Sequence, residues 1–353
     1  MNTSKKLIAG LVATLTTSVS FADTCDQVQT RFGEYYWDNP TAQERIFHTN
    51  PECFGGGPTT SFTMATAISR GLAGRTAAQS GSPVAGLQPG LNGLAAGGQA
   101  SAWNVWANVE QNDSRFSYTA PNANRTKGAS DVQTAVIGAD YALSPTMVFG
   151  VSAAFDNGNG WGRNGVDPKN KNDTDGFVIA PYLGYQINKE WAADFSVGMG
   201  RSDFSATGGV NTEADRWFAA ANLNYARWVG NWQFTGKASY MHGVEDYDNV
   251  SINGVRIAGT DVKNKVDQIR FGAQAGYWMN GFMPYAGLSY TSNVLRDNEA
   301  GDDPLGRDSF VATLGLNFIS VANKLTGGVY YEEELSRTHS NNRIIAANIN
   351  FRF

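Results

Sequence analysis

Few residues in this chain carry side chains suited to chemistry, and their spacing limits what they can do. The sequence holds 3 histidines among 353 residues. His242 is preceded by Ser239 and followed by Glu245 and Asp246, and His339 lies beside Ser336 and Ser340. A nucleophilic hydrolase needs a hydroxyl, a histidine base and an orienting carboxylate or amide on one surface. Neither cluster has that spacing, so both read as polar residues of loops and rims. Gly158-Asn159-Gly160 lacks the Lys and Ser/Thr of a phosphate loop. Asp297, Glu299, Asp302 and Asp303 offer the oxygen ligands calcium prefers, but such a run is more simply a solvated acidic loop. Cys25 and Cys53 enclose His48. Two thiols and one imidazole fall short of a four-ligand zinc site; in an exported chain the two cysteines form a disulfide or stay as free thiols. These residues point to no enzyme, no cofactor and no metal.

The elements that would have to position such residues show a stronger pattern. The stretch 343–353 reads RIIAANINFRF. Ile345, Ala347, Ile349, Phe351 and Phe353 share one face, and Ala346, Asn348, Asn350 and Arg352 share the other, with Ile344 as the exception. Period two marks a β-strand with one apolar and one polar face. The same alternation begins at residue 101 and recurs over 131–143, 146–156, 176–188, 190–204, 215–229, 231–244, 265–279, 282–295, 308–319 and 323–335, twelve strands in all. Pro181 is a cost within its strand because it lacks a donor. The polar face carries Glu110, Asp140, Asp194, Arg216, Lys237, Arg270, Glu332, Glu334 and Arg352. A soluble all-β protein leaves that charged face unexplained. A closed antiparallel barrel with lipid outside and a wet lumen inside explains both faces.

The connections support the same fold. Every second one is a tiny turn, as at Ser144-Pro145, Asn188-Lys189, Gly230 and Asn280-Gly281. The others are expected to be longer polar loops, such as 157–175, 245–264 and 296–307. Short turns on one rim and long loops on the other are the usual membrane-barrel asymmetry. Aromatic residues near strand ends, among them Trp191, Tyr225, Trp228, Trp232, Tyr277, Phe282 and Tyr285, read as interfacial girdles. The mean hydropathy of -0.32 and the lack of a long apolar run after residue 22 mean that the membrane reading rests on alternation alone. The net charge of -5, with no basic tail or helix, gives no argument for nucleic acid.

Ahead of the barrel, Lys5 and Lys6, the apolar run from Leu7 to Leu15 and Ser20-Phe21-Ala22 form a secretory signal over 1–22, cut before Asp23. Residues 23–60 read as a short pre-barrel segment. Residues 61–80 read as a helix poor in bulky side chains, with Arg70 and Arg75 as its charges. Such a helix suits a polar lumen, and docking on the surface or in the periplasm is the alternative. Residues 81–100 are rich in Gly, Ala, Pro and Ser, a flexible connection before a barrel domain over 101–353.

Taken together, the helix-like segment at 61–80, about 250 residues of alternating strands and the closing ANINFRF resemble the autotransporter translocator domain of Gram-negative type V secretion. The resemblance implies a monomeric twelve-stranded barrel in the cell outer membrane, with an α-helix through its pore. It implies lipid bilayer and lipopolysaccharide as surroundings, and periplasmic chaperones and the barrel assembly machinery as partners. Ile349, Phe351 and Phe353 correspond to the assembly signal of that family. Autotransporters usually carry a long passenger before the barrel, whereas only the short segment 23–60 precedes the helix here. Some family barrels are cut between two Asn residues in the pore, and 61–100 has no Asn-Asn pair. The expected role is to translocate or display the short N-terminal segment; a small porin-like channel or a surface adhesin using long loops are the alternatives.

Overall fold

The computed structural model describes residues 103–119, 125–164, 169–298, 306–320 and 325–352. The signal sequence, both cysteines, the 61–80 helix with Arg70 and Arg75, and Phe353 lie outside the described residues. Alternating sequences become strands because an extended backbone sends successive side chains to opposite faces. Fourteen strands form among the described residues: β1 Trp103–Thr119, β2 Arg125–Ser144, β3 Met147–Asn164, β4 Asn170–Gln186, β5 Trp191–Ala206, β6 Val210–Val229 and β7 Trp232–Tyr247, then β8 Ser251–Ile252, β9 Val255–Arg256, β10 Val262–Tyr277, β11 Phe282–Asn298, β12 Asp308–Ser320, β13 Leu325–Glu334 and β14 Ser340–Arg352. The twelve long strands pair antiparallel in chain order, and β1 pairs with β14 to close the sheet. Closure leaves none of those twelve with an open edge inside the bilayer, where an unpaired amide would meet no water.

The faces are inverted relative to a soluble protein. Ile137, Phe155, Phe195, Leu314 and Ile345 are exposed, while Asn108, Glu110, Asp140, Ser196, Arg216 and Glu332 are buried. The outward apolar stretch runs from Tyr185 to Phe177 on β4, from Trp191 to Met199 on β5 and from Tyr225 to Trp217 on β6. Each stretch covers roughly eight residues, about 26 Å along the strand at about 3.3 Å per residue. Tilted at about 40°, that gives a band about 20 Å tall, close to the apolar band of outer-membrane barrels. Its lower edge is tied by aromatic pairs on adjacent strands: Trp103 with Tyr141, Trp191 with Tyr225 and Trp232 with Tyr277, all with ring centroids 5.0–5.2 Å apart.

The upper edge is equally sharp. The next outward residue above the band is polar on each long strand: Gln111, Gln133, Asn157, Asp175, Arg201, Asp215, His242, Asp267, Ser292, Asp308, Glu333 and Arg343. Most of this tier is cross-linked between neighbouring strands. Gln111 Nε2 donates to Asp131 at 2.6 Å, Asn157 Nδ2 to Asp175 at 2.6 Å, and Arg201 Nε to Asp215 at 3.0 Å. Arg343 Nε donates to Glu333 at 3.1 Å.

Three connections differ from the sequence expectation. The stretch 157–175 is mostly strand, since β3 runs to Asn164 and β4 starts at Asn170. β5 and β6 meet in a tight turn over 207–209, with positive φ at Gly208 and Gly209. Within 245–264, Asn253 (φ 50) and Gly254 (φ 82) make a two-residue turn joining β8 to β9. Two positive φ angles in an Asn-Gly pair match the twist of a hairpin, which is why that dipeptide favours one. The strands therefore continue past the band, and the expected loops are largely a β-wall above the membrane. Pro181 sits within β4 and pairs with Val151 of β3, but the ladder to β5 skips from Ile179–Met199 to Tyr182–Ser196. The register is kept; the pairings of Ala180 and of Pro181, the residue without an N–H, are lost.

Candidate functional site

The site this fold builds is the lumen. Its charged residues come from many strands but meet in defined groups. Arg216 on β6 places Nη1 3.1 Å from Asp156 Oδ2 of β3 and Nε 3.2 Å from Glu245 Oε1 of β7, with all three side chains at most 1% exposed. Tyr247 Oη donates to Glu245 at 3.0 Å. Asp140 accepts from Tyr182 Oη at 2.8 Å and from Asn104 Nδ2 at 3.1 Å, and Tyr182 Oη accepts from Trp106 Nε1 at 2.7 Å. Asp194 accepts from Asn224 Nδ2 at 3.0 Å and from Asn222.

On the far wall, Arg270 forms a two-pronged pair with Glu332, Nη2 to Oε1 at 2.8 Å and Nη1 to Oε2 at 3.2 Å, and its Nε donates to Ser289 at 3.0 Å. Glu334 accepts from Ser309 Oγ at 2.8 Å and from Arg337 Nε at 2.7 Å. Glu110 is buried on the lumen face of β1, and Lys237 is half-buried on β7. Arg352 stands opposite Asn104 in the β1–β14 register. Ile349 and Phe351 face outward beside Ala107 and Val105 of β1.

Two kinds of lumen residue escaped the sequence reading. The first is the carboxylate that joins an arginine to other strands: Asp156, which falls on the polar parity of β3 beside Ser152. The second is aromatic. Trp106, Tyr182 and Phe218 point inward and form a buried cluster with Val136, Ala154 and Val178. Their parity with Asn104, Asn108, Arg216 and Asn222 was the available signal, hidden because large apolar residues on a polar face read as noise. Trp228 and Tyr285, taken for girdle residues, lie on the lumen side: Trp228 pairs in register with buried Gln233, and both line a lumen cavity.

The histidine clusters come apart in space. Ser239 and Glu245 are on the lumen face, whereas His242 is outward, in register with Ala219 and Asp267. Its Nδ1 pairs with Asp267, and its ring lies 4.8 Å from that of Trp217. His242 thus belongs to the polar tier above the apolar band. Asp267 reaches that tier beside an irregularity in the β10–β11 register, where Gln268 pairs with Asn293 but Asp267 pairs with Leu295. His339 adopts φ 62 in the turn before β14, and Ser336 Oγ accepts from the Phe310 amide. Among the described residues no group of His, Cys, Asp and Glu has a metal-binding arrangement.

Comparison with known proteins agrees with this architecture. Residues 105–332 match the autotransporter β-domain family. The translocator domain of the autotransporter NalP from Neisseria meningitidis superposes with a TM-score of 0.58 at 14% identity, covering 82% of this chain and 98% of that one. The transport unit of AIDA-I from Escherichia coli gives 0.52 at 15% identity, covering 80% and 99%. The β-domain of the Bordetella autotransporter BrkA gives 0.51 at 17% identity, covering 71% and 100%. At these identities the superpositions speak to the fold. No curated protein matches the sequence. Matched by the family model over most of its length and built as a closed twelve-stranded barrel, the chain belongs to the autotransporter β-domain family and is a protein of the Gram-negative outer membrane.

Proposed function

We propose that this barrel translocates or displays the segment that precedes it. The observation that supports the reading is where the chain enters. Trp103 pairs with Tyr141 near the β2–β3 turn, and Asn104 pairs with Arg352 at the end of β14. The start and end of the barrel thus share the rim that carries the short turns, the periplasmic rim in this family. A segment joined ahead of Trp103 enters from that side and reaches the cell surface only through the lumen. Ile349, Phe351 and Phe353 serve as the signal for the assembly machinery, with periplasmic chaperones acting before insertion. The inserted protein is a monomer among phospholipid and lipopolysaccharide, without enzymatic activity and without nucleic-acid partners.

The test is protease and thiol-label accessibility around Cys25 and Cys53 on intact cells. Surface labelling supports translocation. Labelling only after the outer membrane is opened overturns it and favours the second reading, a small porin-like channel, for which the lumen cavity beside Arg270 is the supporting observation. Single-channel conductance then distinguishes an open pore from a plugged one.

A further inference from the structure

The outward surface above the apolar band is not uniform in charge. Over β1–β4 and the residue just before β4 it carries Arg115, Arg125, Lys127, Arg163, Lys169 and Lys171. Alternation sets the strand cations on the lipid side, in line with Val109, Ile137, Phe155 and Phe177. Register places Arg115, Ala129, Trp161 and Lys171 side by side, with Ser117, Lys127 and Arg163 in the row above. We propose that this patch is a binding site for the anionic core sugars of lipopolysaccharide.

The cations are not matched within the barrel. Among the described residues none of the six forms an ion pair with a carboxylate. By contrast, Arg201 on β5, Lys263 on β10 and Arg343 on β14 each hold one, in Asp215, Asp246 and Glu333. Lys127 and Arg163 stand directly opposite each other across the β2–β3 ladder. Like charges so placed are destabilising, and an anion between them removes that cost. Two of the cations are also held in position. Lys169 Nζ lies 3.8 Å from the centre of the Trp161 ring. Arg125 Nε donates to Ser117 Oγ at 3.0 Å, which leaves its terminal nitrogens for a ligand.

Height selects the group that is bound. Arg115 and Lys171 lie six residues beyond Val109 and Phe177, the last outward apolar residues of β1 and β4. At about 3.3 Å per residue and a tilt of about 40°, they stand about 15 Å above the band, and the row above stands about 20 Å above it. Lipopolysaccharide carries phosphates where its acyl chains meet water, and carboxylates and phosphates on the core sugars above. The row nearest the band is Gln111, Gln133, Asn157 and Asp175, and the next holds Asp113, Asp131 and Asp173. Amides and carboxylates thus face the level of the lipid phosphates, and cations face the level of the core. Neighbouring strands are about 4.8 Å apart, so the row from Arg115 to Lys171 spans about 14 Å, room for more than one sugar.

The proposal rests on the outer-membrane setting and stands whether or not the N-terminal segment is translocated. The experiment uses the full chain, folded in detergent and checked by heat-modifiable gel mobility. Native mass spectrometry titrates it with lipopolysaccharide bearing an anionic core, with lipid A alone and with heparin as a soluble acidic glycan. Lipopolysaccharide is expected to bind more tightly than lipid A, and less so as salt rises. Arg115→Gln with Lys171→Gln, both at exposed positions, is expected to lower that affinity roughly tenfold. Arg201→Gln, which removes a cation already paired, is expected to leave it unchanged. Equal affinity for lipopolysaccharide and lipid A overturns the site, and that comparison needs no variant to fold. Tighter binding of heparin than of lipopolysaccharide overturns the lipid-linked partner. Unchanged affinity in the folded double variant, or an equal loss from Arg201→Gln, overturns the assignment to β1–β4.

Discussion

Arg216 and Arg270 both face the lumen and both pair with glutamate, yet they sit in different media. Arg216 is held between Asp156 and Glu245 with no exposed surface, and apolar Phe218 follows two residues along the same face. Arg270 is 19% exposed, its partner Glu332 is 7% exposed, and both open onto the cavity. The same ion pair therefore plays two roles. In the filled wall, charges taken out of water must satisfy one another completely, because the interior offers nothing else. In the open wall, water at the cavity surface screens the pair and can replace either member. The barrel is one continuous sheet, but its lumen is half packed core and half polar passage.

Breaking this contrast at its strongest point means removing Arg216. Arg216→Ala leaves Asp156 and Glu245 facing each other without a cation, at an expected cost of about 3–5 kcal/mol. Urea titration in detergent, read by loss of heat-modifiable mobility, measures it. Replacing all three residues together by Arg216→Met, Asp156→Leu and Glu245→Leu is expected to recover most of that loss, since a well-packed apolar trio can equal a buried ion triad. Tyr182→Phe comes next. It deletes the hydroxyl that links Trp106 to Asp140, leaving a buried indole N–H and a carboxylate short of a partner, at about 1–3 kcal/mol by the same titration. Arg270→Ala is expected to cost less, about 1–2 kcal/mol, and to change single-channel conductance in planar bilayers. Equal losses for Arg216→Ala and Arg270→Ala would show that the two walls do not differ as described.

Much of this barrel is legible in its sequence, for a physical reason. Lipid imposes one rule on the outward face of every strand, so Phe149, Val151 and Phe155 announce β3 as clearly as Leu314 and Leu316 announce β12. No comparable rule governs the inward face. A lumen accepts Asn108, Trp106 or Glu110 according to what stands across it, and those neighbours belong to strands distant in sequence. Trp106 meets Tyr182 and Arg216 meets Asp156 only once the register is known. Strand ends were misjudged at the upper rim because alternation there becomes polar on both faces. Asp173 and Asp175 on β4 continue the strand in water, where no apolar residue marks the outward side.

That polar upper tier yields the smallest expected effect. Arg201 and Asp215 lie directly opposite each other on β5 and β6, with Arg201 Nε 3.0 Å from Asp215 Oδ1. Their side chains are 71% and 74% exposed, so water competes for both partners and salt screens them. Asp215 is the residue immediately before Arg216. A single step along β6 therefore carries the chain from an ion pair in solvent to one in a dry core, because alternate residues of a strand leave the sheet on opposite sides. Arg201→Ala is expected to shift the urea midpoint hardly at all, within about 0.5 kcal/mol, and less still at high salt. Had the apolar band continued through this tier, the two charges would lie in hydrocarbon, and losing one would cost several kcal/mol. Titration of Arg201→Ala beside Arg216→Ala thus locates the top of the membrane on β5 and β6 by energy alone. A loss for Arg201→Ala approaching that of Arg216→Ala would move the boundary above residue 201.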